Sequence, residues 1–139
     1  MLNKIDKEIA FVQSALNLRA RRQEMLASNL ANADTPNYKA RDLDFASALR
    51  SAMGAAGGLG GPLAMQRSHA GHLDGAGAGS SAAAGMKYRS AVQPSLDGNT
   101  VDLDVERAHF ADNALHYQFL LDRAAAAFST MKLAVGSER

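Results

Sequence analysis

His69-Ala70-Gly71-His72-Leu73-Asp74 places two imidazoles and a carboxylate within six positions. These are zinc-ligand types. The spacing matches no standard zinc motif, no further ligand cluster stands nearby, and the setting is glycine-rich, so the run reads as solvated loop. His109, Asp112 and His116 share one face of a helix and contain the parts of an acid–base pair. No nucleophile sits with them, because Ser129 and Thr130 follow several turns later, and they read as structural polar contacts between subunits. Arg19, Arg21 and Arg22 form a cationic cluster that could meet phosphates. Glu24 follows at once and no aromatics interleave as a single-strand binder requires, so a solvated helix face or a salt bridge between subunits is the plainer reading. The glycines lack the strand–glycine–helix context of a phosphate loop. These residues offer no catalytic, cofactor-binding or metal site, and they point away from nucleic acid and from a small-molecule substrate.

The most informative short motif is conformational. In Thr35-Pro36-Asn37-Tyr38, proline is preset for the second position of a turn, and asparagine tolerates the positive φ that the third position of a type II turn demands. Tyr38 then leaves the turn as an anchor.

Two long helices must position this turn. From Ile5 to Asn32, the residues Leu2, Ile5, Ile9, Val12, Leu16, Arg19, Gln23, Leu26 and Leu30 recur alternately at three and four. That is the seven-residue seam of one helix packed lengthwise on another, interrupted by Arg19 and Gln23. A second helix is expected over Val105 to Val135. Its stripe is Ala111, Ala114, Gln118, Leu121, Ala125, Phe128 and Val135, widened by Leu115, Phe119, Leu120, Ala124 and Met131, with acids crowding its start and Gly136 as its stop. The expected fold is mainly α, with the N- and C-terminal helices pairing as an antiparallel coiled-coil hairpin.

Composition sets the limits. The chain has 139 residues and a formal charge of +1 from 15 basic and 14 acidic residues, which suits one domain and gives no general pull toward polyanions. Cysteine is absent, which excludes disulfides and thiolate chemistry. No secretory-type leader and no apolar run of spanning length is evident. Ten of the 12 glycines fall between Gly54 and Gly85, where Arg67 and Asp74 are the only charges. Such a stretch loses much backbone entropy on ordering and offers little apolar area in return, so a partly disordered middle with at most short strands is expected. The strand candidates are Pro62–Met65 and Tyr88–Val92. The resulting division is a helix over 1–35, the turn and a short amphipathic segment over 36–50, a flexible middle over 51–98 and a helix over 99–139.

Ala27-Ser28-Asn29-Leu30-Ala31-Asn32-Ala33-Asp34-Thr35-Pro36-Asn37-Tyr38 resembles the N-terminal signature of the flagella basal body rod protein family, with Asn37 where glycine is usual. Tyr38–Phe45, Pro94–Asp104, and Glu106-Arg107 with Phe110–Gln118 are similar to the proximal-rod members of that family. The resemblance covers roughly 1–50 and 87–135. It implies a structural, non-enzymatic subunit of the bacterial basal body. Paired terminal helices would stack with other copies and with other rod proteins, and meet ring or adaptor components, in a tube crossing the periplasm. It also implies passage through the flagellar type III export apparatus without a cleaved signal. Phe45-Ala46-Ser47-Ala48-Leu49 is similar to the Phe-x-x-x-aliphatic element by which early axial substrates engage the export gate; a plain amphipathic turn is the other reading, at Phe45 and Leu49 alike. The expected subunit contacts are Leu16, Leu26, Leu30, Leu115, Leu121 and Phe128, with Asn29, Asn32, Asp112 and Asn113 setting register. The alternatives are another axial rod component, or a helical-hairpin adaptor that binds a partner coiled coil and is not exported.

Overall fold

The structure, a computed structural model, describes residues 2–56, 85–93 and 95–136. In chain order the elements are α1 (Leu2–Ala31), β1 (Arg41–Leu43), α2 (Phe45–Ala56), β2 (Met86–Tyr88) and α3 (Leu103–Gly136). The molecule is mainly α, as the periodicity predicts. Helices α1 and α3 lie antiparallel: Asn29 bonds Glu106, Gln23 bonds Asn113, and Glu8 bonds Arg123 near the far end. The expected strand Pro62–Met65 and the cluster His69, His72 and Asp74 lie outside the described residues.

The seam of α1 is one step round from the spacing of its aliphatics. Val12, Ala15, Leu18, Leu26 and Asn29 are buried, whereas Leu16 and Leu30 are half-buried and Ile5 is exposed. On α3 the correction is larger. The expected stripe of Ala111, Ala114, Gln118, Leu121, Ala125, Phe128 and Val135 is exposed throughout. Facing α1 are Leu120, Ala124 and Met131 from the expected margin of that stripe, with Glu106, Asn113 and Tyr117, and the two that are fully buried are polar. A seven-residue pattern counted on apolar residues cannot register a seam whose anchors are Glu and Asn.

Strands β1 and β2 form a two-stranded antiparallel sheet with Arg41 opposite Tyr88 and Leu43 opposite Met86. Of the expected strand over 88–92, only Tyr88 is in β2. Asp44 caps α2: its Oδ1 accepts from Ser47 N at 3.2 Å and its carbonyl from Ala48 N at 2.9 Å. The helix continues to Ala56, beyond the short segment read from the sequence. Leu18, Leu43 and Ala48 form the small apolar core, with Met25, Phe45 and Leu49 packed against it. Asp102 caps α3 in the same manner, accepting from Asp104 N and Val105 N.

Candidate functional site

The turn predicted at Thr35–Tyr38 forms. Tyr38 N donates to Thr35 O at 3.3 Å, and Asn37 has φ 60°. The segment before α3 straps it down. Asn37 N donates to Asp97 O at 2.9 Å, Thr100 N to Tyr38 O at 3.1 Å, and the Thr100 hydroxyl accepts from Ala40 N at 2.8 Å. Asn99, buried, aims its amide nitrogen at three carbonyls where α1 ends: Asn32 O at 3.1 Å, Ala33 O at 2.7 Å and Thr35 O at 3.0 Å. Those carbonyls follow the last residue of α1; Asn32 O and Thr35 O also accept from Thr35 N and Tyr38 N, and a side chain from far along the chain ties all three together. Gly98 makes the approach possible. Its φ is 74°, and a Cβ there would stand 2.7 Å from Asn37 Oδ1.

Beneath the turn lies a buried polar junction joining four elements. Asn29 Oδ1 accepts from Arg41 N at 3.2 Å and from the Tyr38 hydroxyl at 3.3 Å; its Nδ2 donates to Arg41 O at 2.8 Å and to Glu106 Oε2 at 3.3 Å. With the Tyr38 proton spent on Asn29, the Ser28 hydroxyl is left to donate to Tyr38 at 3.3 Å. The other carboxylate oxygen of Glu106 accepts from Arg89 Nη2. Arg22 grips Asp42 in a two-pronged pair at 2.8 and 2.9 Å. Burial alone would raise the Asp42 carboxyl, but the Arg22 hydrogen bond and Leu43 N, with the charges of Arg22 and Arg89, hold it below the usual carboxylate range. The same hydrogen bond raises Arg22, against its own desolvation. Nearer the surface, Lys87 Nζ lies 2.7 Å from Asp44 Oδ2 and, with Ser47 N, brings that carboxyl down to about 2.

About two turns along α3, Asn113 is clamped by the two residues that break the apolar seam of α1. It accepts from Arg19 Nη1 at 3.2 Å and donates to Arg19 O at 3.0 Å and Gln23 Oε1 at 2.6 Å. The Arg19 guanidinium also covers the Phe45 ring at 4.1 Å, and desolvation is the main reason its basicity is lowered.

The structure thus gathers the expected site residues in two ways. Leu26, Asn29 and Asn113 are buried inside the chain, and Asn32 is half-buried, donating to Ser28 O and accepting from the Thr35 hydroxyl. Arg19 and Arg22 likewise turn inward, to Asn113 and Asp42 of the same chain, rather than forming the solvated face or the salt bridge between subunits expected of the cluster. Leu115 and Phe128 are 73% and 58% exposed, and Leu121 is also exposed. Asp112 is on the surface 3.6 Å from His116. Phe45 and Leu49 are half-buried against the small core. Sequence reasoning missed Arg22, Asp42, Arg89 and Glu106 as partners and Asn99 as the strap; the run Asp97–Asp104 was the available signal. Among the described residues no cluster of three or more His, Asp or Glu could hold a metal ion, and no helix is long and apolar enough to cross a membrane.

Comparison with known proteins agrees with the turn. The pattern of the family described as Flagella basal body rod protein matches residues 9–39, the stretch of α1 and the turn that holds Asn29, Asn32 and Tyr38. Flagellar basal body rod protein FlgB of Salmonella typhimurium is 53% identical over 118 residues, 85% of each chain. The chain belongs to the flagellar basal body rod protein family. FlgB of Escherichia coli K12 is 51% identical over 121 residues, 87% of each chain. FlgB of Cereibacter sphaeroides is 45% identical over 104 residues, 75% of this chain and 74% of that one. In this chain the polar junction fixes how the two terminal helices meet.

Proposed function

We propose that this chain is a structural subunit of the proximal rod of the bacterial flagellar basal body. It joins copies of itself and other rod proteins through the outer faces of its paired helices. One observation carries the reading: the charged and polar chemistry is spent inside the molecule, while large apolar groups line the outside of α3. Leu115, Phe119, Phe128, Leu133 and Val135 are 73, 63, 58, 74 and 81% exposed. A long helix covered on one side and apolar on the other is a building element rather than a catalyst.

The candidate subunit contacts are Leu16, Leu30, Leu115, Leu121 and Phe128 with Asp112, while Leu26, Asn29, Asn32 and Asn113 hold the hairpin that presents them. The chain reaches the rod through the flagellar type III export apparatus without a cleaved signal and meets ring or adaptor components there. Because Phe45 and Leu49 pack inward, a gate that reads them acts on the chain before it folds. The reading is tested by expressing a tagged chain in a flagellated strain lacking its own copy. Recovery of the tag in purified basal bodies, with motility restored, is the expected result. A tag that stays in the cytoplasm bound to a coiled-coil partner identifies a helical-hairpin adaptor instead.

A further inference from the structure

The strap over the turn carries a peptide bond that is chemically weak. Aspartate followed by glycine occurs twice in the chain, at Asp74-Gly75 and Asp97-Gly98; the first pair lies outside the described residues. In such a pair the glycine nitrogen can attack Cγ of the aspartate, because the glycine has no side chain to stand in the way. The attack joins N to Cγ and expels water, made from the amide proton and the carboxyl hydroxyl, and leaves a five-membered imide. Water then reopens the ring. Entry at Cγ restores aspartate. Entry at the main-chain carbonyl carbon breaks its bond to the glycine nitrogen and leaves isoaspartate, with the chain running through Cγ and one carbon longer. The steps need water alone, with no oxidant or reductant.

In the folded chain the groups this reaction needs are engaged elsewhere. The Gly98 N–H donates to Ser95 O at 3.1 Å, and the Asp97 carbonyl accepts from Asn37 N at 2.9 Å. Asp97 Oδ1 accepts from Asn99 N at 3.0 Å, and Gly98 O accepts from Lys39 Nζ at 2.6 Å. The reactive carboxyl is the neutral acid, whose hydroxyl can leave; the Ser95 hydroxyl and Asn99 N hold this one below its ordinary range and so keep it ionised. Asp97 is exposed, so these bonds rather than burial stand in the way. We propose that Asp97–Gly98 is a site of spontaneous isoaspartate formation that the folded strap closes, so that the mark accumulates on chain left unfolded. The mark also acts on the fold. Its added carbon separates the Asp97 Cα from Gly98, between the bond to Asn37 N and the Asn99 amide that ties Asn32 O, Ala33 O and Thr35 O. A marked chain therefore seals the turn poorly, whatever the subunit assembles with.

The test holds the full-length protein warm at neutral pH for several weeks, one sample native and one in concentrated urea, and locates isoaspartate by peptide mass spectrometry with electron-transfer fragmentation. In urea, Asp97 and Asp74 are expected to convert at similar rates. In the native sample Asp97 is expected to convert at least about tenfold more slowly, because reaction must wait for local opening. Equal rates at Asp97 in the two samples overturn the protection, and no isoaspartate at Asp97 in urea overturns the site. Asn99→Ala loosens the strap and leaves both reacting residues in place. Its native rate at Asp97, divided by its own rate in urea, is expected to rise several-fold with circular dichroism unchanged; an unchanged ratio overturns the strap as the protecting element. Chain marked at Asp97 is then separated from chain marked at Asp74 alone, and both are refolded. The first is expected to show the lower urea midpoint, and equal midpoints overturn the effect on the turn.

Discussion

Asn99 carries more of the fold than its size suggests, because one amide nitrogen serves three carbonyls at the end of α1. Asn99→Ala takes the side-chain donor from Ala33 O and the additional donor from Asn32 O and Thr35 O, which keep Thr35 N and Tyr38 N, and a loss of about 1 kcal/mol is expected in urea denaturation. Gly98→Ala fails for a different reason. Its φ of 74° suits glycine, and the new methyl would meet Asn37 Oδ1 at 2.7 Å, so a cost of about 1–2 kcal/mol is expected by the same measurement. Asn37→Gly, by contrast, places the residue most at ease with positive φ where Asn37 already has φ 60° and should leave stability within about 0.5 kcal/mol of the parent. Asp44 reports on acid. Its folded-state carboxyl lies at about 2 against an ordinary 3.8, chiefly through Lys87 and Ser47 N. A depressed carboxyl stabilises the fold fully above its unfolded value and loses that contribution as pH falls through the folded value. Asp42, also lowered, acts in the same direction. The urea midpoint should therefore drop between about pH 5 and pH 2. Asp44→Asn, which keeps the cap on Ser47 N, should flatten part of that drop.

At the level of elements, the buried Glu106 ties α3 to Arg89, which follows β2, and to Asn29 of α1. Arg89→Leu removes its cationic partner and is expected to cost about 3 kcal/mol. Arg89→Leu with Glu106→Gln removes the charge as well and keeps an acceptor for Asn29. The double variant should be more stable than Arg89→Leu alone, and a thermodynamic cycle measures that difference directly. These ties also explain what the sequence could and could not convey. The helices and the Thr35–Tyr38 turn are written in local rules, apolar period and proline–asparagine geometry, and both formed where expected. The face that α3 turns to α1 was not legible, because Glu106 and Asn113 occupy the seam and an apolar count passes over them. Strand β1 was missed because three residues carry too little alternation to register, and its pairing with β2 is held by residues far away in the chain. Arg19 and Gln23 looked like interruptions of a seam; they are the two residues that hold Asn113.

For the whole molecule, burial is concentrated where α1, the turn, the strap and the start of α3 converge, while α3 beyond Asn113 has no buried residue. The helix divides along its length: its fully buried groups lie in its first turns, while its later turns pack on α1 through half-buried residues and leave their other side exposed. Leu121→Asp tests that division. Leu121 lies on the exposed part of α3, 38% open, and no buried side chain depends on it. The isolated protein should therefore keep its helical circular dichroism and its urea midpoint to within about 0.5 kcal/mol. In cells the same charge would have to be buried between subunits, where an unpaired carboxylate costs several kcal/mol. Rods should fail to form, and cells carrying this variant as their only copy should lack flagella under electron microscopy. Rods of normal number in that strain would mean that this face of α3 stays open to water in the assembly, and that the subunits meet elsewhere.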